Sequence, residues 1–157
     1  VDEALDALDE EEDRQRSTGS VPSWDLPPTE RWKGLAERSL DLKSELETAT
    51  TLDDLQDVGR RARQLIIEAV KLGWDESMIP ENQDAPKGDD ATSKLGQILT
   101  ARVPGPGNER IRKFVRAALG LGQETTHSES QEGLEALASA MGAIMAVRLL
   151  QELDLAD

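Results

Sequence analysis

Apolar residues recur every three or four positions along five separate stretches of this chain, and no stretch alternates with the two-residue period of a strand. The clearest stretch runs through Leu55, Val58, Ala62, Leu65, Ile66, Ala69 and Val70. Thr51 precedes it as an N-cap, Asp53 and Asp54 put negative charge in its first turn, and Leu72-Gly73 offers a C-terminal stop. With one Phe and no Tyr, the chain also lacks the aromatic content usual in sheets. These features predict an all-α fold: an antiparallel bundle of about five helices over residues 29–157, preceded by an acidic helix and an extended arm in residues 1–28.

The other elements follow from the same spacing and from turn chemistry. Residues 2–15 carry a thin stripe of Ala4, Leu5, Ala7 and Leu8, which suits a short peripheral helix. Ser17 to Pro28 is rich in Ser, Gly and Pro, and Trp24 and Leu26 could anchor it either as a strap across the bundle or as a motif docked on a partner. Thr29 and Glu30 open the first core helix, with Trp32, Leu35, Ala36, Leu40, Leu42 and Leu46 facing inward. Trp74 to Asp89 reads as an irregular connector that folds over the bundle through Trp74, Met78 and Ile79. Asp90 caps a helix buried through Leu95, Ile98, Leu99 and Ala101, and Pro104 to Gly107 ends it. Asn108 caps the next, with Ile111, Phe114, Val115, Ala118, Leu119 and Leu121 inward. Ser128 and Gln131 form a capping box for the last helix. Its core face is expected at Leu134, Leu137, Ala138, Met141, Ile144, Met145, Leu149 and Leu153. Ala136, Ala138, Ala140, Gly142 and Ala143 let a neighbour approach closely, and apolar residues stand on more than one side, so this is either the central helix or a dimer seam.

The chain has 157 residues, enough for one ordinary domain with a core of its own. It has no Cys, which leaves neither a disulfide framework nor a thiolate metal site. No charged-then-apolar leader and no uninterrupted apolar run near 18 residues is present, so the expectation is a soluble, cytoplasmic protein without a membrane partner. A start at Val1 admits a trimmed chain, a fragment or a non-ATG start. Net charge is −14, and residues 1–16 supply −6 of it through eight acids against Arg14 and Arg16. Nucleic-acid contact would therefore need a local basic patch. Two clusters offer one: Arg60, Arg61 and Arg63, and then Arg110, Arg112, Lys113 and Arg116. On a helix Lys113 stands beside Arg110 and Arg116 beside Arg112, as two rungs of a basic strip; the alternative is salt bridges to the surplus acids.

His127, in Thr125-Thr126-His127-Ser128, is the only histidine. Without Cys or Tyr, acid-base chemistry near neutral pH must pass through this imidazole or through carboxylates, although a lone His also serves to cap or to pack. Pro104-Gly105-Pro106-Gly107 lacks the spacing of a phosphate loop, and the paired acids Asp53-Asp54 and Asp89-Asp90 read as first-turn charges. No metal site and no cofactor is expected.

From Leu52 to Leu153 the chain resembles a helical domain of bacterial abortive-infection C-terminal type, a branch of the HEPN-like bundles. The residues that carry this are DLQDVGRRARQLIIEAV (54–70), the Pro-containing connector with its Lys-Gly turn, ERIRKFVRAALGL (109–121), THS (126–128) and EALASAMGAIMAVRLLQEL (135–153). HEPN-type ribonucleases carry an Arg, four to six intervening residues and a His, usually across a dimer interface. The resemblance implies His127 acting on the ribose 2′-hydroxyl or leaving oxygen, with Arg steadying phosphate charge. Here Gly120, Leu121 and Gly122 occupy the positions of that Arg, and ten residues separate Arg116 from His127. The first expectation is thus a non-catalytic interaction or dimerisation domain of a defence-type protein, with a protein partner that the sequence does not name, forming a homodimer through the His127 break and the last helix. The second is a metal-independent endoribonuclease with His127 as acid/base and Arg112 or Arg116 as phosphate clamp. The third is an acidic antitoxin or inhibitor that docks through residues 1–28.

Overall fold

The computed structural model describes residues 28–121 and 129–155. The acidic helix and arm, Trp24, Leu26, His127 and the Ser128–Gln131 cap lie outside what can be described of those segments and their side chains. The described residues form five helices and no strand: α1 Lys33–Thr48, α2 Leu52–Gly73, α3 Ala91–Arg102, α4 Glu109–Gly120 and α5 Glu129–Leu155. Short 3-10 turns at Glu76–Met78 and Pro106–Asn108 punctuate the connectors.

The start of α1 differs from the expected Thr29 cap. A turn closes instead, with the Trp32 N–H donating to the Thr29 carbonyl at 3.0 Å, and Trp32 takes the N-cap position without a side-chain cap. The turn swings the indole fully into the core. Burying an aromatic ring stabilises by about 1.5–3 kcal/mol against about 1 kcal/mol for a cap, so the ring decides where the helix begins. Trp32, Leu35 and Leu42 then face inward, while Leu40 falls out of that phase and stands in solvent.

α2 forms as its sequence predicts. The Thr51 hydroxyl accepts from the Asp54 N–H at 3.1 Å, and the Asp54 carboxylate accepts in return from the Thr51 N–H at 3.1 Å, which completes a capping box. Val58, Ala62, Leu65, Ile66, Ala69 and Val70 are all buried. α3 likewise starts on Asp90, whose carboxylate accepts from the Ser93 N–H at 3.0 Å. In the connector Met78 is buried, and Trp74 Nε1 donates to Gln97 Oε1 at 2.8 Å. Ala101, Ile111 and Phe114, expected inside, are exposed. Asn108 stands at the N-cap of α4, but its Nδ2 donates back to the Pro104 carbonyl at 2.9 Å and caps nothing.

The largest correction concerns α5. The expected core residues Leu134, Leu137, Met141 and Met145 face solvent, and Ala138 is exposed with them. The buried face is Ala136, Ser139, Ala140, Ala143, Ala146, Val147 and Leu150. α5 packs more extensively on α2 than on any other helix. The bulky Leu, Ile and Val stripe of α2 needs a partner of small residues if the two backbones are to approach without overpacking. α5 is long and apolar enough, by length and composition over Glu132–Asp154, to cross a membrane; here its small-residue face is spent on α2.

Arg31 organises one end of the bundle. It donates to the Leu72 carbonyl and, at 3.0 Å, to Asp154 Oδ2, so the C-terminal ends of α2 and α5 lie side by side. α1 runs antiparallel to α5, with Ala36 near Gln151 and Leu46 near Leu137. The α3–α4 excursion brings the chain back, so that α5 lies along α2 in the same sense.

Candidate protein-interaction surface

The inversion of α5 leaves an apolar face where α5 lies beside α1. Leu134, Leu137, Met141 and Met145 are 69%, 44%, 54% and 38% exposed, and Leu40 of α1 is 67% exposed. On α5 these residues follow a three-four-four spacing that holds them on one side of the helix. Between the helices runs a groove of about 470 Å³, lined by Leu46, Leu137, Ala140, Met141, Ile144 and Met145, with Lys43 and Glu47 on its α1 rim. It continues past Ile144 into a second hollow beside Leu40, Val147 and Arg148 that ends at Pro28. The five exposed side chains leave on the order of 500 Å² of apolar surface in water, the upper end of what the largest patch of a monomer presents.

Most of the basic residues singled out in the sequence are engaged within the fold. Arg60 pairs with Asp57 one turn away, and Arg61 reaches Glu45 on α1. Arg63 Nη1 donates to the Leu119 carbonyl at 2.8 Å, which ties α2 to the last turn of α4. Arg112 Nη1 donates to the carbonyls of Val103 and Gly105 at 2.6 and 2.7 Å. The Pro-Gly loop therefore turns carbonyl acceptors toward a cation of its own chain, the reverse of an anion cradle. Gly105 sits at φ +90°, a conformation that glycine adopts without a Cβ penalty. Lys113 pairs with Glu109 at 3.1 Å. Arg110 and Arg116 have no ion pair among the described residues, and Arg116 lies over Gly96 of α3. The expected two-rung strip is thus broken at Arg112, while Arg110, Lys113 and Arg116 remain exposed.

Neither a family model, nor a curated protein, nor a solved structure matches this chain.

Among the described residues no three His, Asp or Glu side chains converge as metal ligands would. Two carboxylates held below the ordinary aspartate range, Asp54 and Asp90, both serve helix caps. Backbone N–H groups of Thr50 and then Thr51, followed by the Thr51 hydroxyl, hold Asp54 down. The Ser93 N–H and then its hydroxyl do the same for Asp90, aided by Lys87 and Lys94. Both shifts come from the hydrogen bonds that cap helix starts, so they mark structure. The sequence signal, a last helix apolar on more than one side, allowed a seam there, but assigning Leu134, Leu137, Met141 and Met145 to the core left the α1–α5 groove unplaced.

Proposed function

We propose that this chain is a non-catalytic helical interaction domain of a bacterial defence-type protein, acting through the α1–α5 face. The observation that carries the reading is the solvent exposure of Leu134, Leu137, Met141 and Met145 along one side of α5. A contiguous apolar stripe of this size is the usual mark of a protein-binding surface. The internal engagement of Arg60, Arg61, Arg63, Arg112 and Lys113 supports it, since these cations serve the fold before any phosphate. The defence setting rests on the resemblance of residues 52–153 to the abortive-infection type.

The test is cleavage of a mixed single-stranded and structured RNA pool by the purified protein, beside His127→Ala and Arg116→Ala. The interaction reading expects no cleavage above the variants. Cleavage that disappears in His127→Ala, with helical signal intact, overturns it in favour of a metal-independent endoribonuclease. One observation favours that second reading: Arg110 and Arg116 are exposed on α4 and form no ion pair among the described residues, which leaves two guanidinium groups for phosphate.

A further inference from the structure

The geometry points to a second copy of this chain as the occupant of the α1–α5 face, in an antiparallel two-fold dimer whose axis passes by Met141. The inference rests on the interaction reading and names its partner. Three observations choose a copy over other occupants.

The first is area. A standard interface buries about 800 Å² per partner, of which roughly two-thirds is apolar in homodimers. The stripe of Leu40, Leu134, Leu137, Met141 and Met145 leaves on the order of 500 Å² in water, which is what one half of such an interface supplies.

The second is register. A two-fold interface requires a patch complementary to itself. Met141 lies within the α5 stripe, so an axis at its level sets Leu137 against Met145 of the partner subunit and Met145 against Leu137 of the partner subunit. Helices packed about 8–10 Å apart bring the residues on such an axis within disulfide reach.

The third is charge. α1 runs antiparallel to α5, and the groove beside Met141 is bordered on α1 by Lys43 and Glu47. The proposed axis, level with Met141, crosses α1 between these two residues, which border the same groove. Lys43 then meets Glu47 of the partner subunit, and Glu47 meets Lys43 of the partner subunit. Neither residue has an ion pair among the described residues, so both are available.

The chain contains no Cys, so a cysteine introduced at Met141 is unique. The experiment is sedimentation equilibrium of the full chain at low salt, with oxidative cross-linking of Met141→Cys. The expected result is twice the chain mass and a single covalent dimer through position 141. Lys43→Glu should weaken association by about tenfold, and Lys43→Glu with Glu47→Lys should restore it, because the swap returns both ion pairs. A monomer at every concentration overturns the proposal, including one whose thiol at position 141 resists alkylation because the arm covers it. A dimer that neither cross-links at Met141→Cys nor responds to the charge swap also overturns it. A monomer without ribonuclease activity leaves the interaction domain standing with a different partner, whereas His127-dependent cleavage by a cross-linkable dimer overturns the functional reading alone.

Discussion

Trp32 Nε1 donates to Asp154 Oδ2 at 2.7 Å, a hydrogen bond between residues 122 positions apart that ties the turn before α1 to the last turn of α5. The indole is fully buried, and the same carboxylate accepts from Arg31. Trp32→Phe keeps most of the apolar burial and deletes the donor. It is expected to cost about 1.5–3 kcal/mol, the range for a hydrogen bond to a charged group, in urea unfolding. Trp32→Ala is expected to cost about 3–5 kcal/mol through the cavity it leaves.

The face that α5 buries can be tested with two neighbouring substitutions. Ala140 is fully buried and Met141 is not. Ala140→Leu is expected to lose about 1–3 kcal/mol by overpacking against its neighbours. Met141→Ala should stay within about 0.5 kcal/mol when unfolding is followed in dilute protein. The opposite order would place the large residues inside after all.

Gly142 illustrates a close approach that still has room. A Cβ there would meet Ala118 Cβ and Leu121 Cδ1, each at 3.6 Å, which is ordinary van der Waals contact. Gly142→Ala removes backbone freedom from the unfolded chain and is expected to stabilise by about 0.5–1 kcal/mol. A drop in thermal midpoint would mean that α4 and α5 pack more tightly at this point than these distances allow.

The caps set a pH dependence. Asp54 and Asp90 have folded-state values below the ordinary 3.8, so between the two values the unfolded chain binds more protons and stability rises with pH. Their contribution is complete above the unfolded value and disappears as pH falls through the folded one. The stability gap between the wild type and Asp54→Asn is therefore expected to be constant above about pH 5 and to narrow below about pH 4. A gap that stays unchanged into stronger acid would show that the charge of Asp54 has no part in the cap.

What the sequence revealed of the fold was local. The caps at Thr51 and Asp90 and the stripe from Val58 to Val70 were legible because each depends on residues three or four positions apart. The orientation of α5 was not, because Leu137 and Met141 outweigh Ala140 and Ala143 on any scale of hydrophobicity, while packing against α2 selects by volume. The basic residues could be picked out by type. Their partners, Glu45 for Arg61 and the Leu119 and Val103 carbonyls for Arg63 and Arg112, come from other elements and are invisible to spacing. The exposed apolar face was present in the sequence as residues but not as a surface.

The contact between Trp32 and Asp154 also orders events during synthesis. α1 and α2 leave the ribosome well before α5, so the indole lacks its Asp154 acceptor and the side of α2 that packs on α5 stays uncovered until the final helix emerges. A ribosome stalled ahead of α5 would expose the most apolar surfaces of the chain together, and chaperone demand should be greatest over that interval.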